Sequence, residues 1–278
     1  MKKLLSHSID FILFSNFWVA FCVAGLMLGV AHFYCIDDCW LYAVFAFSGT
    51  FATYNFHRLV RNHTFQKEAI ITERNRWQNR FRPFLLVACA IAIGTAATIF
   101  FFLPIKPLSI VLLGVAGLIV LFYAIPLPFA KRTLRDISGL KNIWIVFVWI
   151  ILVSIPLINR GKTIHFSDLF LIAALCYIQI IPFDLRDVSY DSRSMKTLPQ
   201  LLGNRFTVLF GTLLTLGWAF AMFLNYSFNW FLPVTLLVSL AGLWWPQSER
   251  TNRQLELAWD GALLTLGFFY YFLPCIHS

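Results

Sequence analysis

Asp184, Asp187 and Asp191 stand at the end of an almost wholly apolar run, Leu169 to Phe183. On a helix, steps of three and four residues bring their carboxylates onto one face, within an arc of about 60°. The chain holds only 13 acidic residues in 278, so three in eight positions is a concentration of charge that needs a reason. Like charges on one face repel unless something positive lies among them. A hard cation that takes oxygen ligands and bridges to phosphate, Mg2+ above all, is one candidate. The other is a solvated interface helix whose carboxylates balance Arg186, Arg193 and Lys196. The residues that follow, Lys196-Thr-Leu-Pro199 and then Leu202-Gly203, add weight to the first reading. A metal-diphosphate site needs carboxylates for the metal and a nearby cation for the remaining phosphate oxygens.

The elements that position these groups must lie in a bilayer. The chain is 59% hydrophobic and 13% charged, with a mean hydropathy of +0.74. No soluble core hides that much apolar surface, so the expectation is an all-α integral membrane protein forming a single polytopic domain over 1–278. Nine apolar spans are legible, at about 9–33, 40–58, 83–103, 107–126, 141–158, 167–184, 206–225, 229–245 and 258–276. Nineteen of the 22 Lys and Arg residues fall on one side of these spans; Lys106, Arg160 and Lys162 fall on the other. That asymmetry places the N-terminus in the cytoplasm and the C-terminus outside, as in a bacterial inner membrane. The net charge of +9 is then topology and contact with anionic lipids rather than nucleic-acid binding.

The two long polar connections, 57–82 and 184–205, each follow an even-numbered span, four helices apart. This spacing suggests a diverged internal repeat, its polar segments facing each other across a central cavity. Pro182, two residues before the aspartates, either kinks its helix and re-aims the carboxylates or is an ordinary helix-end proline. Asp10, Asp168 and Asp260 lie near span ends and read as interface caps. Cys35 and Cys39 flank the first outer loop; a disulfide between them in an oxidising compartment and two unpaired thiols are both open readings.

Asp184-x-x-Asp187-x-x-x-Asp191 with the following Lys196-Thr-Leu-Pro199 and Leu202-Gly203 resembles the second aspartate-rich motif of the UbiA superfamily of intramembrane prenyltransferases. Tyr123-Ala-Ile-Pro126-Leu-Pro-Phe-Ala-Lys131 is similar to the tyrosine, proline and lysine pattern that closes that family's fourth helix. The resemblance implies a bundle of about nine helices around a central cavity open to lipid. Two facing aspartate motifs hold Mg2+ and an isoprenyl diphosphate there. Loss of diphosphate leaves an allylic cation for an aromatic or other hydrophobic acceptor. Carried over, it makes Asp184, Asp187 and Asp191 the catalytic metal ligands. Asn55, Arg58, Arg61, Tyr123, Lys131 and Lys196 become the substrate-binding residues.

The first motif departs from the family's pattern. Where aspartates should follow Asn55, the chain reads His57-Arg58-Leu-Val-Arg61-Asn-His63, and no acid occurs between Asp38 and Glu68. Arginine binds phosphate oxygens directly, so Mg2+ is expected at one half-site and guanidinium groups at the other. A non-catalytic lipid- or isoprenoid-binding protein is the alternative, and a small-molecule transporter a third.

Overall fold

In the computed structural model the described residues are 2–64, 73–130, 132–163, 165–188, 195–244 and 252–275, and among them every regular element is helical. The helices are α1 (Lys2–Phe14), α2 (Phe17–Phe33), α3 (Cys39–Thr64), α4 (Glu73–Arg80), α5 (Arg82–Phe102), α6 (Pro107–Ala124), α7 (Lys141–Arg160), α8 (Phe166–Asp187), α9 (Leu198–Leu202), α10 (Asn204–Asn225), α11 (Phe231–Trp244) and α12 (Asn252–Tyr271). Each apolar run read from the sequence overlaps at least one of these helices. Five of these helices, α5, α6, α7, α8 and α10, are long and apolar enough to cross a bilayer alone, and the bent α1–α2 pair makes a sixth span. The chain is an integral membrane protein of all-α architecture. Its outward faces carry Phe101, Phe102, Leu118, Phe220 and Leu237, whose exposed side chains suit lipid as solvent. The interior packs Leu26 and Met27 of α2, Leu175 and Ile178 of α8, and Leu263 and Leu266 of α12.

Lipid tails give apolar side chains little reason to prefer protein, so close backbone approach and interhelical hydrogen bonds must hold the helices. At the α2–α12 crossing, a Cβ on Gly29 would fall 1.9 Å from the Gly267 carbonyl oxygen, and one on Gly267 would fall 2.3 Å from that of Gly25. Trp259 fills the space under Gly242 in the same way. Polar ties join the other helices: Gln179 Nε2 donates to Ser239 Oγ at 2.8 Å and Trp218 Nε1 to the Leu171 carbonyl at 2.9 Å.

The first span is broken. α1 and α2 meet at 66° around Ser15 and Asn16, and Asn16 is left-handed with φ 62°. The break frees backbone carbonyls that water cannot reach, and distant side chains take them up. Arg74 donates to Leu13 (3.1 Å), Gln78 to Phe14 (2.8 Å) and Asn55 to Ser15 (2.9 Å). One face of α4, with Asn75 and Gln78 buried, is therefore docked on the break.

α8 runs through Pro182 to Asp187, so this proline lies inside the helix and does not end it.

Candidate functional site

The ends of α3 and α8, with the start of α7, gather the polar chemistry of the sequence into one region. Asp184 is fully buried, and both of its carboxylate oxygens are engaged. Lys141 Nζ lies 2.8 Å from Oδ1, and Asn142 Nδ2 donates to Oδ2 at 2.6 Å. Lys141 and Asn142 open α7, so one turn of that helix supplies a cation and an amide to the carboxylate. One turn on from Asp184, Asp187 accepts from Arg186 Nε at 2.8 Å and Nη2 at 3.3 Å, while 29% of its side chain remains open. Arg186 also lies over the Phe183 ring, 5.2 Å from its centre. Besides Arg186, Lys141 and Arg58 are cations whose fields reach the Asp187 carboxylate. Arg58, in the last two turns of α3, is thus near enough to the end of α8 for its charge to act there.

The positive charge beside Asp184 and Asp187 is therefore part of the chain. Lys141 was legible only as one of several basic residues before the fifth span. Its partner could be anticipated only by asking what neutralises a carboxylate at the end of a buried helix.

The other predicted residues fall as follows. Asn55 is buried with its whole amide engaged. Its Oδ1 accepts from Asn16 at 2.9 Å, and its Nδ2 donates to Ser15 and Phe51 carbonyls at 2.9 Å each. Tyr123 stacks on His57 with ring centres 5.2 Å apart, and His57 Nε2 lies 2.8 Å from the Val120 carbonyl oxygen, pinning α3 to α6. Lys196, left-handed at φ 47°, lines a recess of about 360 Å3 with Val188, Gln200 and Leu201. Beyond it, the Thr197 N–H donates to Gln200 Oε1 at 3.1 Å as α9 begins. Gly203 takes φ 78° between α9 and α10, a conformation that favours glycine over other residues. The Gly139 N–H donates to the Met195 carbonyl at 2.9 Å, tying the segment before α7 to the segment after α8. Asp191, Lys131 and the side chain of Arg61 lie outside the described residues.

The fit to a metal is uneven. Asp184 does not fit as a ligand in this arrangement, because both oxygens are occupied by protein donors in a closed environment. Asp187 fits better, being partly open. Among the described residues no three His, Cys, Asp or Glu side chains gather closely enough to hold an ion.

The opposite end of the bundle is also polar. Asp168 is not an interface cap but a buried tie: it accepts hydrogen bonds from the Tyr34 and Tyr226 hydroxyls, the latter at 2.5 Å. Burial, and then the bond to Asp168, pushes the Tyr34 phenol above its usual range, so it remains a donor. Asn159 accepts from Ser109 Oγ at 2.6 Å, and Arg160 pairs with Asp38.

No family model matches the chain, and no curated protein matches it. Solved structures do. A UbiA homolog from Archaeoglobus fulgidus bound to GPP and Mg2+ superposes with a TM-score of 0.59 at 10% identity, over 95% of this chain and 99% of that one. A UbiA homolog from Archaeoglobus fulgidus bound to DMAPP and Mg2+ gives 0.55 at 12% identity, over 94% and 98%. The fold is therefore UbiA-like along nearly its whole length.

Proposed function

We propose that this protein binds an isoprenyl diphosphate where α3, α7 and α8 meet, and transfers the isoprenyl group to an aromatic or other hydrophobic acceptor within the membrane. The observation that carries the reading is the partly open carboxylate of Asp187 among cations at the end of an apolar helix, with Arg186 at 2.8 Å and Lys141 paired one turn back with Asp184, in a UbiA-like fold. The binding of GPP and DMAPP by the homolog of that fold supports this class of substrate.

Arg58 and Arg61 on α3, with Lys131 and Lys196 from the connecting segments, would bind the diphosphate oxygens. Tyr123, already packed on His57, would border the prenyl chain. Asp187 and Asp191 would hold a divalent ion, whose chemistry when bound is neutralisation of the leaving diphosphate. Asp184, paired with Lys141, would keep the end of α8 and the start of α7 in register. In the reaction the allylic C–O bond breaks with its electron pair leaving on diphosphate, and the acceptor forms the new bond and releases a proton. A water-poor site protects the cation in between. The charge asymmetry orients this end toward the cytoplasm, where diphosphate substrates are soluble.

A second reading, binding without turnover, is favoured by one observation: Asp184, one of the three aspartates that the sequence motif offers as metal ligands, already carries an internal lysine. Release of diphosphate from allylic diphosphates of several chain lengths, by purified protein with Mg2+ and a set of phenolic acceptors, separates the two. Release dependent on Asp187 is expected for the transferase. Intact binding with no release at any chain length would establish the second reading instead.

A further inference from the structure

Six cysteines are scattered through the chain, and sequence spacing offers Cys39 as the natural partner of Cys35. The fold brings a different thiol to Cys35. Cys275 follows the last helix, and its Sγ donates to the His32 carbonyl oxygen at 3.3 Å. The backbone N–H of Cys35 donates to that same oxygen at 2.8 Å, so both cysteines converge on one carbonyl at the end of α2. Their side chains are neighbours there. Tyr271 stacks on His32 with ring centres 4.3 Å apart, and the glycine crossing of α2 and α12 lies just beneath. These packings hold the two ends in register. Cys35 reaches its position through a left-handed backbone, φ 53°, in the turn after α2. Cys39, by contrast, opens α3, its backbone N–H donating to the Ile36 carbonyl at 3.2 Å.

We infer that Cys35 and Cys275 are a redox pair that closes to a disulfide, stapling the end of α2 to the end of α12. The reaction is thiol–disulfide exchange. One thiolate attacks an external disulfide and forms a mixed disulfide; the second thiolate then displaces the external thiol. The two cysteines are oxidised by two electrons, and the disulfide oxidant is reduced to two thiols. Both cysteines lie at the end of the bundle opposite the aspartates, the end that the charge asymmetry places outside the cytoplasm, where disulfide oxidants act. The linkage spans almost the whole chain, and it locks the helix pair whose packing has no room for a side chain at Gly29 or Gly267.

The test uses reduced, detergent-solubilised full-length protein exposed to oxidised glutathione. The reaction is quenched with acid, free thiols are alkylated, and peptides are mapped by mass spectrometry. A peptide linking Cys35 to Cys275 should dominate, with two of the six thiols lost to alkylation. Cys35→Ser and Cys275→Ser should each abolish it, and Cys39→Ser should leave it unchanged. Oxidised wild type should also unfold at a higher temperature than reduced wild type, and the two serine variants should show no redox-dependent shift. A Cys35–Cys39 linkage, or glutathione retained on Cys35 while Cys275 stays alkylatable, would overturn the inference. So would oxidation that leaves the unfolding temperature of the wild type unchanged.

Discussion

Lys141 and Asp184, 2.8 Å apart and each at most a tenth exposed, form an ion pair that links the start of α7 to the end of α8. Two charges held out of water are worth little more than a well-packed apolar pair, yet removing either alone strands the other. Lys141→Met should therefore destabilise the protein by about 3–5 kcal/mol, and Lys141→Met combined with Asp184→Leu by much less. Unfolding of the detergent-solubilised single and double variants measures this. Simple addition of the two single losses would show that the charges are not coupled.

Asn55 spends its amide on the α1–α2 break, so its replacement should register in stability before affinity. Asn55→Ala strands the Ser15 carbonyl and the Asn16 amide, at about 1–3 kcal/mol for each buried group left unpaired. Diphosphate affinity of the folded fraction should change little. If affinity falls while unfolding temperature holds, the direct contact expected from the sequence motif is restored.

How much was legible follows from how far each interaction reaches along the chain. Hydropathy marks the spans because each span meets lipid along its own length. The break at Asn16 is hidden inside the apolar run 9–33. What satisfies it comes from Asn55, Arg74 and Gln78, which no local pattern connects. The aspartates announce a cation but not which one. Lys141 reads equally well as a topology anchor until the fold sets it beside Asp184. Cys275 is likewise invisible as a partner of Cys35, because only the α2–α12 crossing joins the two ends of the chain.

Glycines test that crossing with an internal control. At Gly29 an added methyl meets the Gly267 backbone, which cannot swing aside, so Gly29→Ala should cost about 1–3 kcal/mol or more by overpacking. At Gly49 a Cβ meets nothing within 4 Å, and Gly49→Ala should be neutral or stabilising by about 0.5–1 kcal/mol. Equal effects at the two sites would mean that α2 and α12 do not approach this closely.

Orientation is checked by single-cysteine accessibility in intact cells. The nineteen-to-three charge split predicts that a reporter in the 62–80 loop is protected from an impermeant maleimide and that one in the 159–166 loop is labelled. The reverse pattern would put the aspartates on the side without cytosolic diphosphates.

Ligand-induced stabilisation reports whether an isoprenyl diphosphate binds at the ends of α3 and α8 beside the start of α7. Purified wild type, heated with and without an allylic diphosphate and Mg2+, should gain about 2.7 kcal/mol at a ligand concentration one hundred times Kd. Arg58→Ala and Asp187→Asn should each lose most of that gain, while Asp168→Asn at the opposite end of the bundle should keep it. No stabilisation of wild type by allylic diphosphates of any length, or full stabilisation in both Arg58→Ala and Asp187→Asn, would rule out diphosphate binding at this site.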